Sequence, residues 1–430
     1  MKQKIINLLI FSTVFISSYV FFKQPFEGYI TYLVLALFLP VFIAKFGLPK
    51  LPVIIFLPLI ISGLIYVQTG DNTAPLFWKI FIGFFSSVVF YYYVVQLYNF
   101  DIKRIFLLYI KGSLIVSIIG IIQIISFQVG FKFGYDYSWI LNKWGYSAGG
   151  IGIRMNSLFS EPAYFAAVIA PAFFWSVQKI LAAPFRMRSH WREIAIIIAY
   201  LLTFSSLGIL GIFLTVLFLL LNFGFFKYAI IFVPIFFFGF KYAYEEIPEF
   251  KERYDGTIEV FSKQNIRDYD VHGSSFVLYN NYHVATENFI RHPLFGTGLG
   301  SHAVAFEEYT LTNLDSNVVQ ITFNKADANS MFLRIMSETG LYGLIFIVIF
   351  FIKCWVFKQR SVDQEHWIIS NALALIILLY LARQGHYFLN GFPLFLWMYY
   401  FNWKDNKKLR DQAKKEASAS NKQETFLPSP

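Results

Sequence analysis

Thiols are almost missing from this chain. Of its 430 residues one is cysteine, Cys354, which excludes an intramolecular disulfide and a thiolate metal site. Charge is scarce too: 14% of residues, against 57% hydrophobic and 20% aromatic, excludes an ordinary water-soluble domain. No segment repeats another, so a transporter built from inverted halves has no support. The histidines of the longest polar stretch, His272, His283, His292 and His302, lack metal-ligand spacing and are expected as solvated loop residues; no metal and no cofactor is expected.

What is present is a series of continuous apolar runs. A span needs roughly 20 apolar residues, and in hydrocarbon the backbone can pair its polar groups only as helix or closed barrel. Continuous runs favour helices over the alternating pattern of barrel strands. The expected fold class is therefore all-α, a polytopic helical bundle of about twelve spans. They are placed at residues 5–22, 29–44, 51–67, 78–97, 105–129, 163–181, 194–204, 207–221, 228–244, 329–357, 367–381 and 388–401. Two longer polar connections, near residues 130–162 and 244–329, interrupt them, and the second is expected to be mostly helical. Residues 1–403 form one transmembrane domain, and 404–430 a disordered basic tail.

Lysine and arginine fix the orientation, because inner loops carry them in excess. Lys2, Lys4, Lys45, Lys50, Lys103, Arg104, Arg186, Arg188, Arg192, Lys227, Lys353, Lys358, Arg360, Lys404, Lys407, Lys408 and Arg410 fall on one side. Both termini are then cytoplasmic, and the two polar connections and a short turn at Arg383 face outward. The net charge of +10 (36 basic minus 26 acidic residues) is mostly this bias, which favours anionic lipid and not nucleic acid. No small-residue cleavage site follows the first apolar segment, where Phe21, Phe22 and Lys23 stand, so it is expected to be a permanent span.

Two spans have odd lengths. The run ending at Thr203-Phe204-Ser205-Ser206 is short and restarts at once, so a polar turn is sunk at the outer boundary and needs protein or water around it. The run at 329–357 is long, about 43 Å at 1.5 Å per residue, so its first turns are expected to protrude outward. Asp327, Ser330, Arg334 and Glu338 lie on one face there. Arg334 and Glu338 suit either a site or an ordinary i,i+4 pair at a helix end.

Upstream lies Arg291-His292-Pro293-Leu294-Phe295-Gly296-Thr297-Gly298-Leu299-Gly300, after a helical stretch that puts Tyr279, His283, Glu287 and Arg291 on one face. The glycines follow no strand, which argues against a nucleotide fold, but a turn of N–H groups with Arg291 suits an anion. The other outward connection ends Arg154-Met155-Asn156-Ser157-Leu158-Phe159-Ser160-Glu161-Pro162. Ser160 or Glu161 can cap the helix that Pro162 begins, and Arg154 calls for a partner or a substrate. Tyr135, Tyr137, Trp139, Trp144 and Tyr146 could pack as interfacial aromatics or stack on sugar rings.

These stretches resemble the O-antigen polymerase and O-antigen ligase superfamily of polytopic membrane glycosyltransferases. Residues 154–166 look like its polymerase-type R-x-x-S-x-F-x-E-P element, residues 292–300 like H-P-L-x-G-x-G-x-G, and Ser330, Leu333, Glu338, Gly340 and Gly343 like the start of a late span. The turn at Thr203 is similar to the family's T-x-S-R hairpin. The resemblance implies a GT-C-like fold and a metal-independent, inverting transfer of a glycan from undecaprenyl diphosphate on the outer face of the bacterial plasma membrane. In the polymerase the acceptor is a second lipid-linked repeat unit; a chain-length regulator and a flippase are implied partners. The ligase would use a lipid core or protein as acceptor, and a non-enzymatic flippase is the reading from another class.

Arginine forks suit a diphosphate leaving group, which points first to Arg154 and Arg291, then to Arg334 and Arg383. Aligned on Leu333 and Glu338, the ligase-type histidine falls on Asn329, which cannot be a base, and Leu207 replaces the hairpin arginine. The base is then sought at Asp327, with Glu161 and His302 behind it, since burial can raise a carboxyl into the working range. Glu338, Asn329, Ser330, Gly296 and Gly298 complete the expected substrate contacts.

Overall fold

The computed structural model describes residues 3–22, 27–149, 152–185, 187–224, 234, 237–242, 244–246, 248–262, 273–311 and 324–424. In chain order the helices are α1 (Gln3–Phe15), α2 (Ile30–Phe46), α3 (Lys50–Thr69), α4 (Ala74–Leu97), α5 (Ile102–Gln128), α6 (Lys132–Tyr135), α7 (Pro162–Ala182), α8 (Trp191–Leu201), α9 (Ser206–Phe223), α10 (Pro248–Ser262), α11 (Gly273–Arg291), α12 (His302–Tyr309), α13 (Met331–Cys354), α14 (Gln364–Arg383) and α15 (Phe392–Glu424). Seven of them, α3, α4, α5, α7, α9, α13 and α14, are long and apolar enough to cross a membrane, and α1 and α2 are shorter apolar helices. Among the described residues β-structure is limited to two isolated bridges, Val20 with Tyr29 and Ala148 with Ile153. The chain is a membrane-embedded helical protein. His272, Arg186 and most of the span expected at 228–244 lie outside the described residues.

The bundle is organised around α7 and α14, which lie against each other and carry α5, α8 and α9 on one and α13 and α15 on the other. Ala166, Ala167, Ala170 and Ala172 of α7 and Ala372 and Ala374 of α14 are all fully buried. Small side chains let two helix backbones approach where lipid offers no hydrophobic drive for association. Pro171 cannot extend the ladder of α7, and the Tyr109 hydroxyl of α5 enters there, donating to Val168 O at 2.7 Å and accepting from Ala172 N–H at 3.2 Å. By contrast α3 turns Ile54, Leu57, Ile61 and Ile65 outward, the signature of a peripheral span.

Three expectations change. The first span ends at Phe15, thirteen residues long, and the chain then bends so that Phe21 N–H bonds Gly28 O at 2.8 Å. The late span is not one long protruding helix: α13 breaks at Gly340 (φ 59°, ψ −150°). Residues 331–340 are almost wholly buried, whereas Ile345, Val348, Ile349 and Ile352 face outward. The excess length is thus folded inward, and the broken backbone sits where protein covers it. Finally, the segment expected as a disordered tail continues α15 as helix through Glu424.

Candidate functional site

The break in α13 determines where the polar groups gather. At Gly340 the chain takes a positive φ, and a Cβ there would lie 2.6 Å from Pro293 O. Across the break Gly298 N–H donates to Glu338 O at 2.8 Å, Leu341 N–H to Pro293 O at 2.8 Å and Tyr342 N–H to Leu294 O at 3.0 Å. The carbonyls and amides that the helix leaves open are therefore met by the glycine-rich segment. Gly296 N–H goes to His292 O, and a Cβ at Gly296 would meet the backbone of Ser337, Glu338 and Thr339 within 2.4 to 2.5 Å. Gly296 and Gly298, expected to cradle an anion, instead splice a broken helix.

Ahead of the break, Ser330 caps α13, accepting Leu333 N–H at 3.3 Å while its hydroxyl donates to Leu381 O at 2.7 Å. One turn on, Arg334 Nε donates to Glu338 Oε1 at 2.9 Å, with both side chains sealed from solvent at 2% and 0% exposure. This is a buried pair, not a surface one. It is completed from the turn between α14 and α15: Arg334 Nη1 reaches Gly385 O at 2.8 Å, the Tyr387 hydroxyl donates to Glu338 Oε2 at 2.9 Å, and the guanidinium lies 4.4 Å from the Tyr387 ring centre. Arg334 Nη2 has no hydrogen-bond partner among the described residues.

The same turn supplies a residue that no motif marks. His386 Nε2 lies 3.0 Å from Asp327 Oδ2. Asp327 Oδ1 accepts Asn329 N–H at 3.1 Å and Asn324 Nδ2–H at 3.2 Å. Burial works to raise the Asp327 carboxyl, but the His386 ring, the Asn329 N–H and the Arg334 charge outweigh it and hold the group well below the usual carboxylate range. Asp327 is thus a buried anion, and His386, about one third exposed, is the group beside it that solvent reaches. The contact requires glycine at 385, where a Cβ would sit 1.5 Å from Asp327 O.

Glu161 faces this pair from the start of α7. It occupies the capping position with no side-chain capping bond. Desolvation in a crowded hollow raises its carboxyl; the Asp327 charge adds to that, while Lys143, His386 and Arg154 pull it down. Its side chain is nevertheless exposed, so it stands at the rim. The preceding loop is pinned by Gln123, whose Oε1 accepts Asn156 N–H and Ser157 N–H at 3.3 and 3.0 Å. Arg154 Nε donates to Thr203 O at 3.4 Å, and Met155 N–H to Leu202 O at 3.0 Å, so the sunken turn finds the protein cover it needs. Beyond Glu161, Lys143 is bonded to Glu27 and Tyr29, and the Tyr164 ring lies 6.2 Å from that of His386.

Asp327, Glu161, Arg154, Arg334, Glu338, Asn329 and Ser330 are therefore drawn to one end of the bundle, with Arg383 closing α14 just ahead of the His386 turn. Arg291 lies exposed at the end of α11, its guanidinium 4.7 Å from the Tyr309 ring centre. His302 is buried, not solvated; its Nε2 meets Asn281 Oδ1 at 3.0 Å, and burial pushes its pKa down to about 3. His292 sits edge-on to Tyr66. Of the loop aromatics, Tyr137 and Trp144 are buried with Leu141, whereas Trp139 and Tyr146 are exposed. Among the described residues no cluster of histidine, cysteine and carboxylates is arranged to hold a metal ion. His386 and Lys143 escape a reading of the sequence because neither belongs to a motif. The available signal is a histidine beside glycine in the short turn after a helix long and apolar enough to cross a membrane. In comparisons with known proteins, no family model and no curated protein matches the chain.

Proposed function

We propose that the chain is a glycan polymerase acting on the outer face of the plasma membrane, moving a growing oligosaccharide from a polyprenyl diphosphate to a lipid-linked repeat unit with inversion. The observation that carries this reading is the His386–Asp327 dyad at 3.0 Å, set beside Glu161 and arginines at one end of a membrane bundle. A sugar hydroxyl needs a base, and a partly exposed imidazole held by a buried carboxylate is suited to that task. The acceptor oxygen would bond the anomeric carbon as its proton passes to His386. The bond to the diphosphate oxygen would break with its electron pair leaving on the diphosphate. Arg154 and Arg383 at the rim suit that leaving group, with Arg334 adding fixed positive potential behind Asp327.

The roughly twelve spans, the GT-C-like architecture, the inward termini and the outward site belong to this proposal. The charge bias of the short loops supports the orientation, because the dyad lies at the end away from Lys103, Arg104 and Lys358. Purified protein given a lipid-diphosphate-linked repeat unit tests the function. A ladder of lengthening glycans is expected. A single transfer to a lipid core or protein identifies a ligase, and unaltered sugar carried across vesicles a flippase; either outcome overturns the polymerase.

A further inference from the structure

At the end of the bundle opposite Asp327, the start of α1, the close of α4 and the start of α5 line an open hollow of about 440 Å³. Its cations are Lys103, Arg104 and Lys111, and its acid is Asp101. The Asp101 carboxylate is already engaged, accepting Arg104 N–H at 3.0 Å to cap α5, and Lys103 is paired with Glu365 of α14. The Arg104 guanidinium lies over the Tyr98 ring at 5.6 Å, a contact that leaves its N–H groups available. Neither the Arg104 nor the Lys111 side chain has a hydrogen bond or ion pair to a described residue.

Lys111 stands about 10 Å further along α5 than Arg104, at 1.5 Å per residue. It is flanked by Leu107 and Ile115, 43% and 48% exposed, on a helix apolar enough to span a bilayer. An ammonium at that depth turns back toward the polar boundary. The cavity thus has a cationic upper wall and an apolar exit along α5. A small inorganic anion would satisfy the first and leave the second unused, whereas an amphipathic anion satisfies both. We infer that this cavity binds the phosphate-bearing headgroup of an anionic phospholipid, with its acyl chains along the exposed face of α5. The site is separated from the dyad by the length of α5, and its recognition rests on Arg104 and Lys111.

The test uses full-length protein in detergent, phosphatidylglycerol as probe and native mass spectrometry as readout. One retained lipid is expected, with phosphatidylcholine not retained. Arg104→Gln/Lys111→Gln should weaken retention about tenfold or more, the scale of losing charge-assisted bonds. Lys50→Gln should bind as wild type; Lys50 follows Gly47, whose carbonyl takes the Tyr93 hydroxyl from the same end of α4. If the double variant does not fold, Lys111→Arg should retain the lipid where Lys111→Gln loses it. Equal retention of phosphatidylglycerol by the glutamine variants, equal retention of phosphatidylcholine, or displacement of the lipid by millimolar inorganic phosphate would each overturn the inference.

Discussion

His386 Nε2 and Asp327 Oδ2 meet at 3.0 Å although 59 positions separate them in sequence (386 minus 327), one in the turn after α14 and the other just ahead of α13. The pair exists because Gly385 lets the turn press on the Asp327 carbonyl and because Ser330 ties the start of α13 to Leu381 O. Asp327 is held ionised while His386 keeps contact with solvent, a division of labour that suits a base and the group that orients it. His386→Gln should therefore lower turnover by about 10²- to 10⁴-fold, the usual weight of a general base. Asp327→Asn should lower it comparably, with donor binding nearly unchanged. Single-turnover assays that separate binding from transfer check this; normal turnover in His386→Gln removes the dyad from the chemistry.

The buried Arg334–Glu338 pair separates stability from catalysis. Glu338→Gln leaves a guanidinium buried without its counter-charge, and a loss of about 3 to 5 kcal/mol in stability is expected. Arg334→Met/Glu338→Leu removes both charges, and stability should return toward wild type while glycan transfer does not. Thermal melts of the detergent-solubilised protein beside the ladder assay decide it. Full activity in the double variant would make the pair purely structural.

The glycine splice predicts a graded response. At Gly296 a methyl group meets three backbone atoms of α13 within 2.5 Å, and a positive φ adds strain. Gly296→Ala should cost about 1 to 3 kcal/mol or more, as overpacking does. Gly145, where an added methyl group would meet nothing within 4 Å, should accept alanine without measurable change. Equal melting temperatures for the two variants would contradict the splice.

How much of this was legible beforehand follows from the range of the forces involved. Apolar length and helical periodicity are local, so the expected spans at 51–67, 78–97, 105–129, 163–181, 207–221 and 367–381 coincide with helices. The contact of Arg334 with Glu338 is also local, one turn of one helix. The break at Gly340 was not legible, because its cost is met by residues 293–298 through bonds that no window around 340 contains. His386 was invisible for the same reason: its partner is distant in sequence, and its own surroundings look like any turn. Arg291, which a motif groups with the others, is set over the Tyr309 ring, a contact that the sequence around 291 does not announce.

His302 predicts a pH dependence of stability and not of activity. Its pKa falls from an ordinary value near 6.5 to about 3 through burial, so between those values the unfolded chain binds a proton that the folded chain does not. Stability should then fall as pH drops through this window, by at most about 1.4 kcal/mol per unit from this group. His302→Gln should remove that part of the slope and leave the pH profile of transfer unchanged. Melting temperatures of both proteins from pH 7 to 4 provide the check; parallel slopes would contradict the buried neutral imidazole.

The two arginines first singled out by motif now carry opposite expectations. Arg154 stands within the electrostatic reach of Glu161 and anchors the Thr203 turn, whereas Arg291 packs on Tyr309 at the exposed end of α11. Arg154→Ala should abolish chain growth, and Arg154→Lys should restore the fold but recover little activity, because an ammonium lacks the fork that two phosphate oxygens require. Arg291→Ala should retain activity within about threefold, as expected for an exposed substitution that costs under about 0.5 kcal/mol. Ladder length and initial rate, measured at matched protein levels, separate the cases. If Arg291→Ala proves as inactive as Arg154→Ala, both guanidinium groups serve the transfer, and the diphosphate would then be gripped from both sides.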